Sequence, residues 1–226
     1  MRSALSLAVI CLVAGAVPAS AQHLDPTTAV KGTGVLPKDW MLRFDPPAPA
    51  ETDAAARSSI VFESAGAGFR IASGPAAIYY NTKDVGKGEY SINATFAQPR
   101  SMSHEVFGLF IGGQNLQDST QNYLYFVVRP LDGMAMISHR SSNGRPKAVR
   151  PYFATDAINK DDAKDGHATN ALTIHVAKDT VHFVANGKLV AAIAKTDLDG
   201  ASTDGIAGLR VNHNMDLLIT DYKLKK

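Results

Sequence analysis

From Asn170 onward, apolar residues fall at every second position. Leu172, Ile174 and Val176 make one such run, and Val181, Phe183 and Ala185 follow after Lys178-Asp179. Asn186-Gly187 then leads to Leu189, Ala191 and Ile193. Period-two patterning broken by two-residue polar steps predicts consecutive antiparallel strands joined by tight turns. Asn-Gly suits a type I′ turn, because both central residues need positive φ and these two tolerate it best.

The same alternation runs back through the chain. Asp39 to Asp45 predicts a first strand carrying Trp40, the only tryptophan. Pro46 to Arg57 reads as a loop with a turn of helix in its alanine run. Ser59–Glu63, Gly68–Ser73 and Ala77–Tyr80 are short strands between Gly and Pro breaks. Gly88 to Gln98 places Tyr90, Ile92, Ala94 and Phe96 on one face and Ser91, Asn93 and Thr95 on the other, a half-buried strand. Glu105 to Gly112 is apolar at both parities, which predicts a central strand covered on both sides. Asn122–Arg129 and Gly133–Arg140 form a hairpin across a Pro-Leu-Asp-Gly turn, and Ala148–Ala154 adds a strand after a second turn. Asp156 to Thr169 is charged and loop-like. About a dozen strands are too many for one open sheet, so the pattern predicts an all-β chain of two packed antiparallel sheets.

Residues 1–21 stand apart from this pattern. Arg2, an apolar stretch from Ala4 to Val17 and Ala19-Ser20-Ala21 have the order of a secretory signal peptide, too short to span a bilayer. The expected organisation is a signal peptide at 1–21, an exposed leader at 22–38 along the domain's edge, and a β-sandwich at 39–226. The expected location is secreted or periplasmic, with no membrane insertion after cleavage. Cleavage removes the only cysteine and one of 23 basic residues, leaving 22 against 21 acidic ones and a net charge of +1. Near-neutrality gives no electrostatic ground for a nucleic-acid partner.

The last third carries a resemblance. N-x-L-x-I at Asn170, V-x-F-x-x-N-G-K-x-V at Val181, D-G-I-A-G-L at Asp204 and the closing I-T-D-Y-K-L resemble concanavalin A-like lectin/glucanase sandwiches. Within that superfamily the chain looks most like laminin-G-like modules and 3-keto-disaccharide hydrolase-like domains. The resemblance implies a jelly-roll sandwich with one curved sheet whose concave side binds sugar. Retaining glucanases of this superfamily carry E-x-D-x-E on a central strand. Here Glu105 matches the first position, but Phe107 and Leu109 replace the other two, so that acid pair is missing.

Other chemistry is thin. Asp161 to Gly166 hints at a calcium loop, but Ala163 and Leu172 stand where oxygen donors belong. Asp197 and Asp199 read as a polar turn, and His175 and His182 as an outward-facing cross-strand pair. No cofactor, metal or Ser-His-Asp arrangement is expected. The clearest binding signal is Tyr123, Tyr125 and Arg129 on one face of a strand whose other face, Leu124, Phe126 and Val128, belongs to the core. Rings of this kind stack on sugar faces, and Arg129, Gln114, Asn115 and His139 would bond hydroxyls. The expectation is an exported carbohydrate- or glycan-binding protein without its own acid pair. The alternative is a hydrolase resembling the 3-keto-disaccharide family, in which Glu105 or His104 serves as general base and lies beside His139.

Overall fold

The computed structural model describes residues 30–45, 54–99, 105–161 and 167–226. The signal-peptide stretch, the body of the alanine-proline loop, His104 and most of the calcium-like loop lie outside the described residues. Fourteen strands form two antiparallel seven-stranded sheets. The first sheet is ordered β1 (Trp40–Phe44), β4 (Ala77–Gly86), β13 (Gly205–Val211), β6 (Phe107–Gln114), β7 (Asn122–Arg129), β8 (Met134–Arg140) and β9 (Lys147–Ala154). The second is ordered β12 (Lys188–Ala194), β11 (Thr180–Ala185), β10 (Ala168–Val176), β5 (Tyr90–Gln98), β14 (Met215–Lys225), β3 (Gly68–Ser73) and β2 (Ile60–Ala65). A single helical turn, α1 (Ala54–Arg57), precedes β2. Among the described residues no helix is long and apolar enough to cross a membrane.

The inner faces follow the alternation. Tyr90, Ile92, Ala94 and Phe96 of β5 are all buried and meet the first sheet, with Phe96 against Phe107 at 5.0 Å between ring centres. Phe183 of β11 meets Phe126 of β7 at 5.5 Å. Each such ring removed from water contributes about 1.5–3 kcal/mol. Asn186 and Gly187 both have positive φ, 51° and 77°, as a type I′ turn requires. Beyond it the inward alternation weakens. β11 and β12 slip register between Phe183 and Val184, and Leu189 is 62% exposed on the edge strand.

β6 is central in its sheet, and its two-sided apolarity has a structural cause. Phe107, Leu109 and Ile111 enter the core between the sheets, while Phe110 joins a second buried cluster on the outer side. That cluster holds Ile78, Tyr80, Tyr123, Tyr125 and Val127. At the β2 edge of the second sheet, Gly32 and Gly34 donate backbone hydrogen bonds to the carbonyls of Ser58 and Ile60.

Candidate functional site

Period two puts Arg210 of β13 on the outer face of the first sheet, because Leu209 and Val211 fill the core. Arg140 of β8 lies opposite Tyr123 on the same face. Asp45, just past β1, lies between them. Its Oδ2 accepts from Nη2 of Arg210 at 2.6 Å and from Nη2 of Arg140 at 3.2 Å. Arg210 also donates to Oδ1 of Asn212 at 3.1 Å, and Asn212 donates in turn to Glu105. The result is a polar chain across the sheet, Glu105–Asn212–Arg210–Asp45–Arg140, with the Arg210 guanidinium 5.7 Å from the Tyr125 ring centre.

The two guanidiniums are nearly inaccessible, at 4% for Arg140 and 5% for Arg210. Burial pulls the Arg210 pKa down, but the groups facing it, Asp45 foremost, together more than offset this and hold it above the ordinary value. Even so, Nη1 of Arg210 and Nε of Arg140 have no hydrogen-bond partner among the described residues. A buried donor left unpaired costs about 1–3 kcal/mol, so each orphan is a departure that needs a reason.

Arg129 and Tyr152 border this chain. Arg129 forks onto Asp132 at 2.9 and 2.7 Å, which draws the Asp132 carboxyl below its usual range. Its guanidinium also sits 4.5 Å from the Tyr152 ring centre. Tyr152 is 40% exposed, and partial burial raises its phenol pKa despite Arg129.

Tyr123, Tyr125 and Arg129 share the outer face that the alternation assigns them. The expectation of open stacking rings is corrected, however, since Tyr123 is 1% and Tyr125 6% exposed. The segment after β6 contributes to the cover. Leu116 packs into the outer cluster, and Gln117 donates to the Tyr80 hydroxyl at 2.7 Å. Burial pushes the Tyr123 phenol up to about 12.

His139 is on the opposite side of its strand. It pairs with Leu124 and contacts Asp199 and Asn122 through its two ring nitrogens at 3.0–3.3 Å. It therefore does not join the tyrosine face or converge with Glu105. Gln114 and Asn115 sit at the far end of the β6–β7 pair from Arg129, where Gln114 reaches the Asp204 carbonyl at 3.4 Å and Asn115 turns the chain with φ 50°. Glu105 is at the near end, in the polar chain, and His104 lies outside the described residues. His175 and His182 are a cross-strand pair, 5.7 Å between ring centres. No group of three or more metal-ligating side chains occurs among the described residues.

Sequence reasoning missed Asp45, Arg140, Arg210, Asn212 and Tyr152. One signal was available for Arg210, since a charge between Leu209 and Val211 in an apolar strand demands a partner. A concavity of about 300 Å³ lies on the outer face of the second sheet. Ser91, Asn93, Thr95, Ala171, Thr173 and Lys225 line it, without an aromatic ring.

No protein-family model matches the sequence, and no curated protein matches it. Solved structures do. A carbohydrate binding module CBM66 from Bacillus subtilis is similar at TM-score 0.59 and 10% identity, over 83% of this chain and 96% of that one. A Bacillus subtilis protein of unknown function with a galectin-like fold is similar at TM-score 0.57 and 13% identity, over 83% and 89%. The carbohydrate recognition domain of Emp46p is similar at TM-score 0.52 and 14% identity, over 83% and 88%. The chain has the two-sheet antiparallel jelly-roll fold of these structures.

Proposed function

We propose that this is an exported carbohydrate-binding β-sandwich that takes a glycan on the outer face of its first sheet. The observation that carries the reading is the polar chain from Glu105 to Arg140, set among Tyr125, Arg129 and Tyr152 on one sheet face. A sugar is recognised by apolar C–H faces and dense hydroxyls together, and aromatic rings beside charged hydrogen-bonding groups meet both needs. The names of the solved neighbours, a carbohydrate binding module and a carbohydrate recognition domain, agree with this choice. Tyr152, with the greatest exposure of the three tyrosines, is the stacking ring. Arg129, fixed by Asp132, orients it.

Export rests on the charged, apolar and Ala-Ser-Ala order of residues 1–21, and mature material begins at Gln22. Amino-terminal sequencing of protein recovered outside the cytoplasm tests this, and a start upstream of Val17 overturns it.

Binding is tested by calorimetric titration of the purified protein with a panel of oligosaccharides. Saturable binding that Tyr152→Ala weakens about tenfold, with an unchanged melting temperature, supports the site. A panel with no binder overturns the reading. A hydrolase reading draws on one observation, that two carboxylates, Asp45 and Glu105, share the polar chain. New reducing ends released from a bound oligosaccharide, and lost in Glu105→Gln, would establish it.

A further inference from the structure

We infer that the glycan bound on this face carries an acidic group, a carboxylate or a sulfate, that docks on the Arg140–Arg210 pair. This rests on the glycan-binding reading above and names the ligand class for the same face.

Two guanidiniums share one carboxylate, Asp45, so the trio carries a net positive charge. Glu105 reaches Arg210 only through the Asn212 amide. Two of the buried atoms without a partner, Nη1 of Arg210 and Nε of Arg140, belong to side chains at least nine-tenths buried, while Nη1 of Arg140 donates to the Gly144 carbonyl at 2.8 Å. Arg129 provides the internal comparison. Its guanidinium forks onto its own Asp132 through two hydrogen bonds, one acid to one base.

The chemistry of the unpaired donors selects the ligand. A guanidinium offers donors alone, and what it lacks is an acceptor. A neutral sugar hydroxyl brings a donor with its acceptor, and a site for it mixes donors with carbonyls. A carboxylate or sulfate brings acceptors and negative charge together, and a planar carboxylate matches the guanidinium fork. Solvent lies one side chain away from Arg210, since its partners Asp45 and Asn212 are both partly exposed. An acidic group entering there completes the hydrogen bonding that Asp45 leaves unfinished. In a site this dry, the charge-assisted bonds are stronger than in water.

The test compares ligands on the unaltered protein. Uronate and sulfated oligosaccharides are titrated beside their carboxyl-reduced or desulfated counterparts, at low and at high salt, with inorganic sulfate and acetate as competitors. The expected result is that an acidic oligosaccharide binds, its neutralised counterpart binds at least about tenfold more weakly, and salt weakens only the acidic ligand. Arg210→Lys and Arg140→Lys, which keep the charge and lose the fork, should each reproduce the loss while melting as cooperatively as the parent. If a variant fails to fold, the ligand pair decides alone. Equal binding of the acidic and neutralised ligands overturns this inference and leaves the glycan-binding reading standing. Binding of sulfate or acetate without any oligosaccharide overturns both.

Discussion

Tyr125 shows how far alternation reaches at the scale of one residue. It faces away from the central core, as the pattern requires, yet it is sealed within a second cluster with Phe110 and Tyr123. Tyr125→Ala therefore removes packing as well as a ring and should lower the melting temperature, whereas Tyr152→Ala leaves it nearly unchanged; thermal melts of the two variants check this contrast. Burial has a titration consequence too. Desolvation raises the phenols of Tyr79, Tyr90, Tyr123 and Tyr222 above the ordinary value near 10. The folded state keeps these protons where the unfolded chain releases them, so their stability contribution is complete below about pH 10 and is lost as pH rises above it, through about 12 for Tyr123 and higher for the other three. Urea midpoints should fall across that window, and phenolate absorbance should show a late step coinciding with unfolding. A single step near pH 10 for all seven tyrosines in the folded protein would contradict it. The face of Tyr123, Tyr125 and Arg129 was legible because parity is a local property. Their burial was not, because the cover includes Leu116 and Gln117 from a connecting segment whose path no periodicity encodes. Asp45, at a strand's end, meets Arg210 across 165 positions of sequence, and no spacing announces such a pair.

At the scale of the element, the β10–β11–β12 meander is the most predictable part of the chain. Phe183→Ala should cost about 3–5 kcal/mol in urea melts, since the ring is fully enclosed and packs against Phe126 across the sandwich. Replacing Gly187 with valine should also destabilise, because a β-branched residue resists the φ of 77° found there. The same meander marks where local reading stops. β12 is an edge strand with a slipped register, so Leu189, apolar and at the expected parity, points into solvent without affecting the fold. β4 extends to Gly86, well past the strand predicted at Ala77–Tyr80, and its polar second half, Asn81 to Asp84, has no apolar alternation to announce it. Backbone pairing with β13 resumes there at Val85 and Gly86, and pairing needs no apolar side chain. β6 is the opposite case. Its unbroken apolarity correctly signals a central strand, and the second cluster explains what covers its outer side.

For the whole molecule, the order of strands decides what must be present before anything is stable. β14 lies between β5 and β3, and Arg70 of β3 forks onto Asp216 of β14 at 2.9–3.0 Å across 146 positions of sequence. Trp40 sits in an aromatic group with Phe62, Phe69 and Tyr222, which draws on strands of both sheets. Its fluorescence therefore reports docking of the two layers, and it should change at the same urea concentration as far-ultraviolet circular dichroism; a separate, earlier tryptophan transition would mean that the sheets part before they melt. Deleting residues 215–226 should abolish the cooperative transition, because β2–β3 then has no partner joining it to β5. The placement of β14 also sets a clock. Synthesis from the amino terminus delivers β14 after every other strand described, so the second sheet stays in two pieces until then. Until that strand arrives, β3 and β5 each present an open edge, and the half-built layer is exposed to pairing with whatever chain it meets first.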